Sequence, residues 1–252
     1  MKPVNTPHIT HYRDNSILVL QINRPEKKNA LTGQMYQALA AHLNSASNDA
    51  CINVVVLTGT DDCFTSGNDI NDFLENRNSS VDRPSNVFMQ ALLECDKPII
   101  AAVTGFAIGI GTTLLLHCDL IYATQDSYLQ LPFSKLGLCP EFASSYLLPR
   151  LIGHQRAAEL LFFGNRISAT QAASFGIVND VLPATEVMNH ALAKARELAS
   201  LPNQALQVTK QLLKADSGDN IRATIKTEMV EFGKLLETPQ ARQIFTAFLA
   251  RK

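Results

Sequence analysis

Two stretches of this 252-residue chain combine glycine with small polar residues in an order that leaves backbone N–H groups free. They are Phe64-Thr-Ser-Gly67-Asn68-Asp69 and Gly105-Phe-Ala-Ile-Gly109-Ile110-Gly111. Each follows a strand-like run and precedes helix-forming residues. The first amides of a helix have no partner within it and lie at the positive end of its dipole. Two such turns brought together can therefore bind an oxygen that becomes anionic during a reaction. The competing explanation is that these glycines serve only turns and close packing. A nucleotide-cofactor site is set aside, because a G-x-G without the full dinucleotide fingerprint and its following acidic residue is poor evidence for NAD. The six histidines lack H-x-x-x-H spacing and have no cysteine partners at ligand intervals, so no metal site is predicted. Ser66, Ser144 and Ser145 lie in no G-x-S-x-G elbow, which argues against a serine hydrolase. Asp69 reads as the cap of the helix after Gly67, Asp61-Asp62 as a solvated turn, and His117 as a core residue.

The elements that must position these turns are readable from hydrophobic period. Ser16–Ile22 is rich in aliphatic residues and ends at Asn23-Arg24-Pro25, which predicts a strand and a turn. Thr32 then caps a helix whose Met35, Leu39 and Leu43 share one face, and Asn53–Leu57 returns to strand character before Thr58-Gly59. Lys97–Val103 predicts another strand, which feeds the Gly105, Gly109 and Gly111 turn. A helix over Thr112–His117 and a strand over Asp119–Ala123 follow, so this part of the chain is α/β. After about Ser144 the pattern becomes helical. Helices are predicted within Gln155–Phe162, Ala169–Phe175, Val187–Ala199, Asn203–Lys214, Ile221–Leu236 and Pro239–Ala250, interrupted by strand-like Ile177–Leu182. The polar stretch Asn76–Asn86, flanked by Phe73 and Phe88, reads as a solvated surface loop, with a lid over a pocket as the alternative.

Composition narrows the class. With 46% hydrophobic and 18% charged residues the chain folds rather than staying disordered. Lys and Arg total 22 against 23 for Asp and Glu, a net charge of -1 that offers nothing to a nucleic-acid backbone. No apolar run approaches the roughly 20 residues of a membrane span, and residues 1–10 lack a secretory segment. Five cysteines, Cys51, Cys63, Cys95, Cys118 and Cys139, show no C-x-x-C spacing, which fits reduced thiols in a reducing compartment.

Several motifs occur together and in order. Asn23-Arg-Pro-Glu-Lys-Lys-Asn-Ala-Leu31, Phe64–Asp69, Lys97–Gly109, Ile167-Ser-Ala169 and Phe175–Val181 resemble the crotonase (enoyl-CoA hydratase/isomerase) superfamily over about residues 10 to 250. The resemblance implies an α/β fold with a ββα spiral core over residues 1–195. It also implies a C-terminal helical region over 196–252 used in trimerisation, the two forming one functional unit. Acyl-CoA thioesters are the implied substrates, with no separate cofactor, because coenzyme A is part of the substrate.

Carried over residue by residue, the likeness assigns the two oxyanion-binding amides to Asn68 and Ile110, through main-chain N–H groups. Where hydratases of the family carry two glutamates, this sequence has Thr113 and Phe133. Neither removes a proton at neutral pH, so hydratase activity is expected to be low or missing. The segment Leu136-Gly-Leu-Cys-Pro-Glu141-Phe-Ala-Ser-Ser-Tyr146 is similar to that of peroxisomal-type Δ3,Δ2-enoyl-CoA isomerases, which makes Glu141 the single catalytic acid/base. Phe133, Leu138, Cys139 and Phe142 are the candidates to desolvate it and raise its pKa. The alternative is that Glu141 merely opens a helix and complements its dipole. For coenzyme A the likeness points to Glu26, Lys27 and Lys28, the loop Ser66, Gly67, Asn68, Asp69 and Ile70, and Gly109 with Ile110. Lys234, Arg242, Arg251 and Lys252 are further candidates from the C-terminal region.

The expectation is thus a cofactor-free Δ3,Δ2-enoyl-CoA isomerase of unsaturated fatty-acid β-oxidation, a homotrimer or dimer of trimers. The C-terminus lacks a peroxisomal S-K-L address, and a bacterial cytoplasmic protein without nucleic-acid or membrane partners is expected. The alternatives are another crotonase-type reaction (hydratase, hydrolase or lyase) and a non-catalytic acyl-CoA-binding member.

Overall fold

Unbroken apolar runs of four or five residues suit strands covered on both faces, and the chain uses them in that way. The computed structural model describes residues 6–71 and 83–250. A six-stranded sheet has the order β1 (Ile9–Asp14), β2 (Ile17–Ile22), β3 (Val54–Thr58), β4 (Ile99–Val103), β6 (Leu120–Thr124), β9 (Asp180–Leu182). Only the β1–β2 pairing is antiparallel. A smaller sheet holds β5 (Phe106–Ile108), β7 (Tyr128–Gln130) and β8 (Arg166–Ser168). Helices among the described residues are α1 (Gly33–Asn48), α2 (Pro84–Glu94), α3 (Ile110–Thr113), α4 (Ser144–Ile152), α5 (His154–Phe163), α6 (Ala169–Ser174), α7 (Val187–Ala199), α8 (Asn203–Lys214), α9 (Gly218–Leu236) and α10 (Pro239–Leu249).

The two faces of the large sheet follow the strand period of two. Leu18, Leu20, Val55, Leu57, Ile99, Ala101 and Val103 enter the main core with Met35, Leu39 and Leu43 of α1. The intervening Ile17, Val19, Val54, Val56, Ile100 and Ala102 enter a second core. Val187, Ala191 and Ala195 of α7 close it at a spacing of four, small side chains that let the helix lie close on the sheet. Thr32 caps α1 by accepting from Met35 N at 3.4 Å, as its sequence position predicts. The C-terminal helices are tied back by Lys210 of α8, whose Nζ reaches Asp119 Oδ2 and Lys97 O, each at 2.7 Å. Asp119 Oδ2 also accepts from Ile99 N at 2.8 Å, so this contact fixes the entrance to β4.

Three expectations need correction. No strand is predicted before Ser16, yet β1 adds to the sheet edge; only Ile9 of it is buried, so alternation is too weak to show. The glycine turn over 105–111 contains a strand, β5, that pairs with β7, and the helix predicted over Thr112–His117 is the single turn α3 followed by a 3-10 turn at Leu114–His117. The consecutive apolar residues there are buried without a helical stripe, and a four-residue helix carries little dipole. In the polar stretch Asn76–Asn86, residues 76–82 and Phe73 lie outside the described residues. Pro84–Asn86 form the first turn of α2 rather than loop, with Pro84 where a missing N–H costs nothing. Phe88 of α2 is buried against Tyr36, ring centroids 5.5 Å apart. Among the described residues no helix is long and apolar enough to cross a membrane.

Candidate active site

The two glycine loops come together through backbone contacts. Thr65 forms a parallel bridge with Ala107, and Ile108 N donates to Thr65 O at 3.0 Å. Asn68 and Ile110 thus stand three residues beyond a bridged pair, on two adjacent ribbons running the same way. Gly67 has φ +91°, and a Cβ on it would lie 2.7 Å from Ile108 O, so no other residue permits this approach. Gly109 has φ 58° and ψ −120°, a conformation L residues rarely adopt, while the space where its Cβ would stand is open. Neither the Asn68 nor the Ile110 N–H meets an acceptor among the described residues, although their neighbours do: Asp69 N donates to Leu31 O, and Thr112 N and Thr113 N to Gly109 O. Two free donors on touching ribbons can give hydrogen bonds to one external oxygen.

The segment before α1 holds the first loop in place. Ser66 N donates to Lys28 O, and Leu31 N to Gly67 O. Lys28 and Asn29 both have positive φ, and buried Asn29 spends its side-chain amide on Cys63 O and Phe64 O while its Oδ1 accepts from Arg24 N. Arg24 reaches across to Asp69 Oδ2 at 2.7 Å, an ion pair whose side chains are only 15% and 13% exposed. Asp69 Oδ1 accepts from Asn71 N, the geometry of a helix cap. Asn68 Oδ1 accepts from Tyr36 Oη at 2.6 Å, which ties the loop to α1. Arg24 and Asn29 carry this scaffold, and only their presence in the Asn23–Leu31 motif signals them.

Glu141 follows β7 and a 3-10 turn at Ser134–Leu136, and precedes α4. Its Oε1 is sealed from solvent and makes no hydrogen bond among the described residues. Burial, reinforced by the nearby charge of Glu228, pushes its carboxyl up to about 8. It does not cap α4. Phe142 and Ala143 both adopt left-handed backbone, φ 57° and 55°; Ser144 N donates to the Glu141 main-chain O, and the Ala143 and Ser145 N–H groups are taken by Glu228 of α9. Glu228 Oε2 accepts from Ala143 N at 2.6 Å, and Oε1 from Ser145 N at 3.0 Å and from Ser145 Oγ. On the other side His117 is buried, as expected of a core residue. Its ring stacks on Phe142 at 3.9 Å, and its Nε2 donates to Phe142 O at 2.8 Å. Burial lowers His117 to about 4, so it is neutral, with its proton on Nε2 because the carbonyl only accepts. Glu228 is the site residue that motif reasoning misses.

The remaining candidates divide. Thr113 is buried and turned towards Ile110 O, and Phe133 is buried in the core, so neither position offers a titratable group. Leu138 and Phe142 are buried in that core too, and half-buried Cys139 is near enough for the Glu228 and Glu141 charges to help burial raise its thiol to about 11. Lys28 is joined to the Ser66–Ile70 loop through its carbonyl; Glu26, Lys27 and Lys28 are all exposed there, with Glu26 facing Arg24 at 3.7 Å. Lys234 instead pairs with Glu231 on α9, and Arg242 is exposed on α10. Arg251 and Lys252 lie outside the described residues. The five cysteines are free.

The family described as enoyl-CoA hydratase/isomerase matches residues 12–252. Enoyl-CoA delta isomerase 2 of Rattus norvegicus is 31% identical over 246 residues, 95% of this chain and 62% of its own length, so the chain spans less than two thirds of that relative. The 2,3-dehydroadipyl-CoA hydratase of Escherichia coli is 32% identical over 241 residues, covering 95% of this chain and 94% of that protein. The solved structure of Pseudomonas aeruginosa OdaA superposes with a TM-score of 0.95 at 46% identity, over 97% of this chain and 99% of that one.

Proposed function

This chain belongs to the enoyl-CoA hydratase/isomerase family, and we propose that within it the protein is a Δ3,Δ2-enoyl-CoA isomerase. The observation that carries the reading is Glu141, a desolvated carboxyl whose Oε1 is buried without a partner among the described residues, in a chain whose positions 113 and 133 offer no second acid or base. Hydration needs groups to activate and place a water. A double-bond shift needs one group that takes a proton from C2 and returns it at C4.

In the proposed step the 3-enoyl thioester oxygen accepts hydrogen bonds from the Asn68 and Ile110 N–H groups. Ionised Glu141 removes a C2 proton, and the electron pair left behind delocalises through the carbonyl to give a dienolate. The dienolate oxygen is stabilised by the two amides, preorganised by the Thr65–Ala107 bridge and requiring no rearrangement as charge develops. The same carboxyl, now protonated, delivers the proton to C4, and the 3,4 double bond becomes a 2,3 double bond. Atoms and charge balance without a cofactor, since coenzyme A enters as part of the substrate. A carboxyl near 8 suits both halves, being a stronger base than an ordinary glutamate and still a competent acid afterwards.

Coenzyme A would lie along the exposed Glu26–Lys28 turn and the Ser66–Ile70 loop, with Lys27 and Lys28 meeting its phosphates by charge. Exposed Phe162 and Phe163 on α5 offer an apolar surface that a further copy of the chain would cover. The name of the Escherichia coli relative favours hydration as a second reading, against which stand Thr113 and Phe133. The test is turnover of a 3-enoyl-CoA and of crotonyl-CoA by wild type and Glu141→Gln, followed by ultraviolet absorbance of the conjugated thioester. The reading requires reaction of the 3-enoyl substrate only and its loss in the variant. Efficient hydration of crotonyl-CoA overturns it.

A further inference from the structure

We propose that Glu228 of α9 is a positioning residue for Glu141, its carboxylate clasping the left-handed pair Phe142–Ala143 and thereby fixing where the base projects. This rests on Glu141 being the isomerase base.

Two consecutive non-glycine residues in left-handed backbone are disfavoured, and a chain holds them only when its surroundings over-determine the turn. Here the constraint comes from both sides. His117 donates to Phe142 O and stacks on its ring, while Glu228 takes Ala143 N, Ser145 N and Ser145 Oγ. The Glu141 side chain leaves the backbone one residue before this clamp. A carboxyl with a free Oε1 has no hydrogen bond of its own to orient it, so its direction is inherited from the turn.

Glu228 is placed to do this by hydrogen bonds that favour its charged form. Three donors converge on its carboxylate, and beyond it lies a cleft of about 410 Å³ bordered by Cys139, Pro140, Ser145, Thr224, Thr227 and Glu231. The Glu141 carboxyl receives no such hydrogen bonds among the described residues, so of the two carboxyls it is the one placed to carry the exchangeable proton. The other titratable groups facing the pair are neutral His117 behind Phe142, Cys139 in the same loop, and Glu231 one turn along α9. Burial raises Glu228 as well, but its three hydrogen bonds oppose that rise. Glu228 also sits on the buried stripe of α9 formed by Ile221, Ile225, Phe232 and Leu236, where an apolar residue would pack at least as well. Packing alone does not explain a carboxylate there.

Glu228→Gln tests the assignment in the full-length protein. Glutamine keeps the volume, sets an amide N–H₂ against one of the donors, and removes the negative charge beside Glu141. With a 3-enoyl-CoA substrate, kcat is expected to fall on the order of tenfold or more at unchanged KM, because a small misplacement of the base is costly. The acid limb of log kcat/KM is expected to move to lower pH, since the anion that opposed Glu141 ionisation is gone. A structural role alone would lower Tm and leave both where they are, and that result overturns the proposal. If Glu228→Gln does not fold, Ser145→Ala removes the hydroxyl donor alone: a several-fold lower kcat at unchanged KM supports the clamp, and a wild-type kcat overturns it. Glu141→Gln is measured alongside. Full turnover by that variant overturns the base assignment itself, whereas its inactivity combined with unchanged Glu228→Gln kinetics overturns only the positioning role.

Discussion

Replacing Glu141 by glutamine should stabilise the fold at neutral pH while abolishing turnover. The carboxyl moves from an ordinary 4.5 to about 8 on folding, so ionising it costs about 5 kcal/mol more in the fold than in the unfolded chain. A raised pKa means that the folded state holds the proton more tightly. Stability is therefore fully present below about pH 4.5 and is lost as pH rises towards 8. At pH 7 the folded protein keeps most of its Glu141 protonated while the unfolded chain ionises freely, a penalty of order 3 kcal/mol. Glutamine matches the protonated side chain in shape and never ionises, so it escapes this penalty. For a chain of this size that corresponds to a rise in Tm of about 6–12 °C at pH 7, shrinking to within about 1–2 °C at pH 4.5. Thermal unfolding of wild type and Glu141→Gln across pH 4.5 to 8.5 measures it. Equal stability at every pH, or a variant less stable at pH 7, refutes the claim that Glu141 is buried without compensation.

Three further outcomes follow from the same geometry. For wild type, log kcat/KM on a 3-enoyl-CoA should rise by about one per pH unit below pH 8 and level off above it, as the base ionises, which a steady-state pH series reads directly. Gly109→Ala should leave circular dichroism unchanged but lower kcat/KM on the order of 100-fold, because alanine has room at the site and cannot hold φ 58°, ψ −120°, so the Ile110 N–H is displaced. Arg24→Ala should lower stability by about 3 kcal/mol in chemical denaturation, since it removes the ion pair to the nearly enclosed Asp69 carboxylate.

What the sequence reveals of this fold depends on how local its causes are. Strands β2, β3 and β4 are legible because Ile17–Ile22, Val54–Leu57 and Ile99–Val103 are covered on both faces and so read as apolar runs. The small sheet is not: β5 and β7 are three residues each, and the pairing of Phe106–Ile108 with Tyr128–Gln130 is a tertiary fact with no local period. Gly67 and Gly109 are visible as residues, while the reason for them, the approach to Ile108 O and the turn that frees the Ile110 N–H, emerges only when the two ribbons touch. Glu141 stands out through its motif. Glu228 leaves a fainter mark, a carboxylate on the stripe Ile221, Ile225, Phe232, Leu236; its partners at Ala143 and Ser145 are more than eighty residues away, beyond the reach of any spacing rule.

The central claim is that one enclosed carboxyl carries a proton from C2 to C4, and an isotope label follows that proton. A 3-enoyl-CoA deuterated at C2 is converted in a single turnover and the product examined by mass spectrometry and NMR. With Glu141 Oε1 sealed from solvent, deuterium should reach C4 of the 2-enoyl product well above the level expected from exchange with water. Complete loss of the label to solvent, or a product carrying a solvent-derived hydroxyl at C3, would contradict the account.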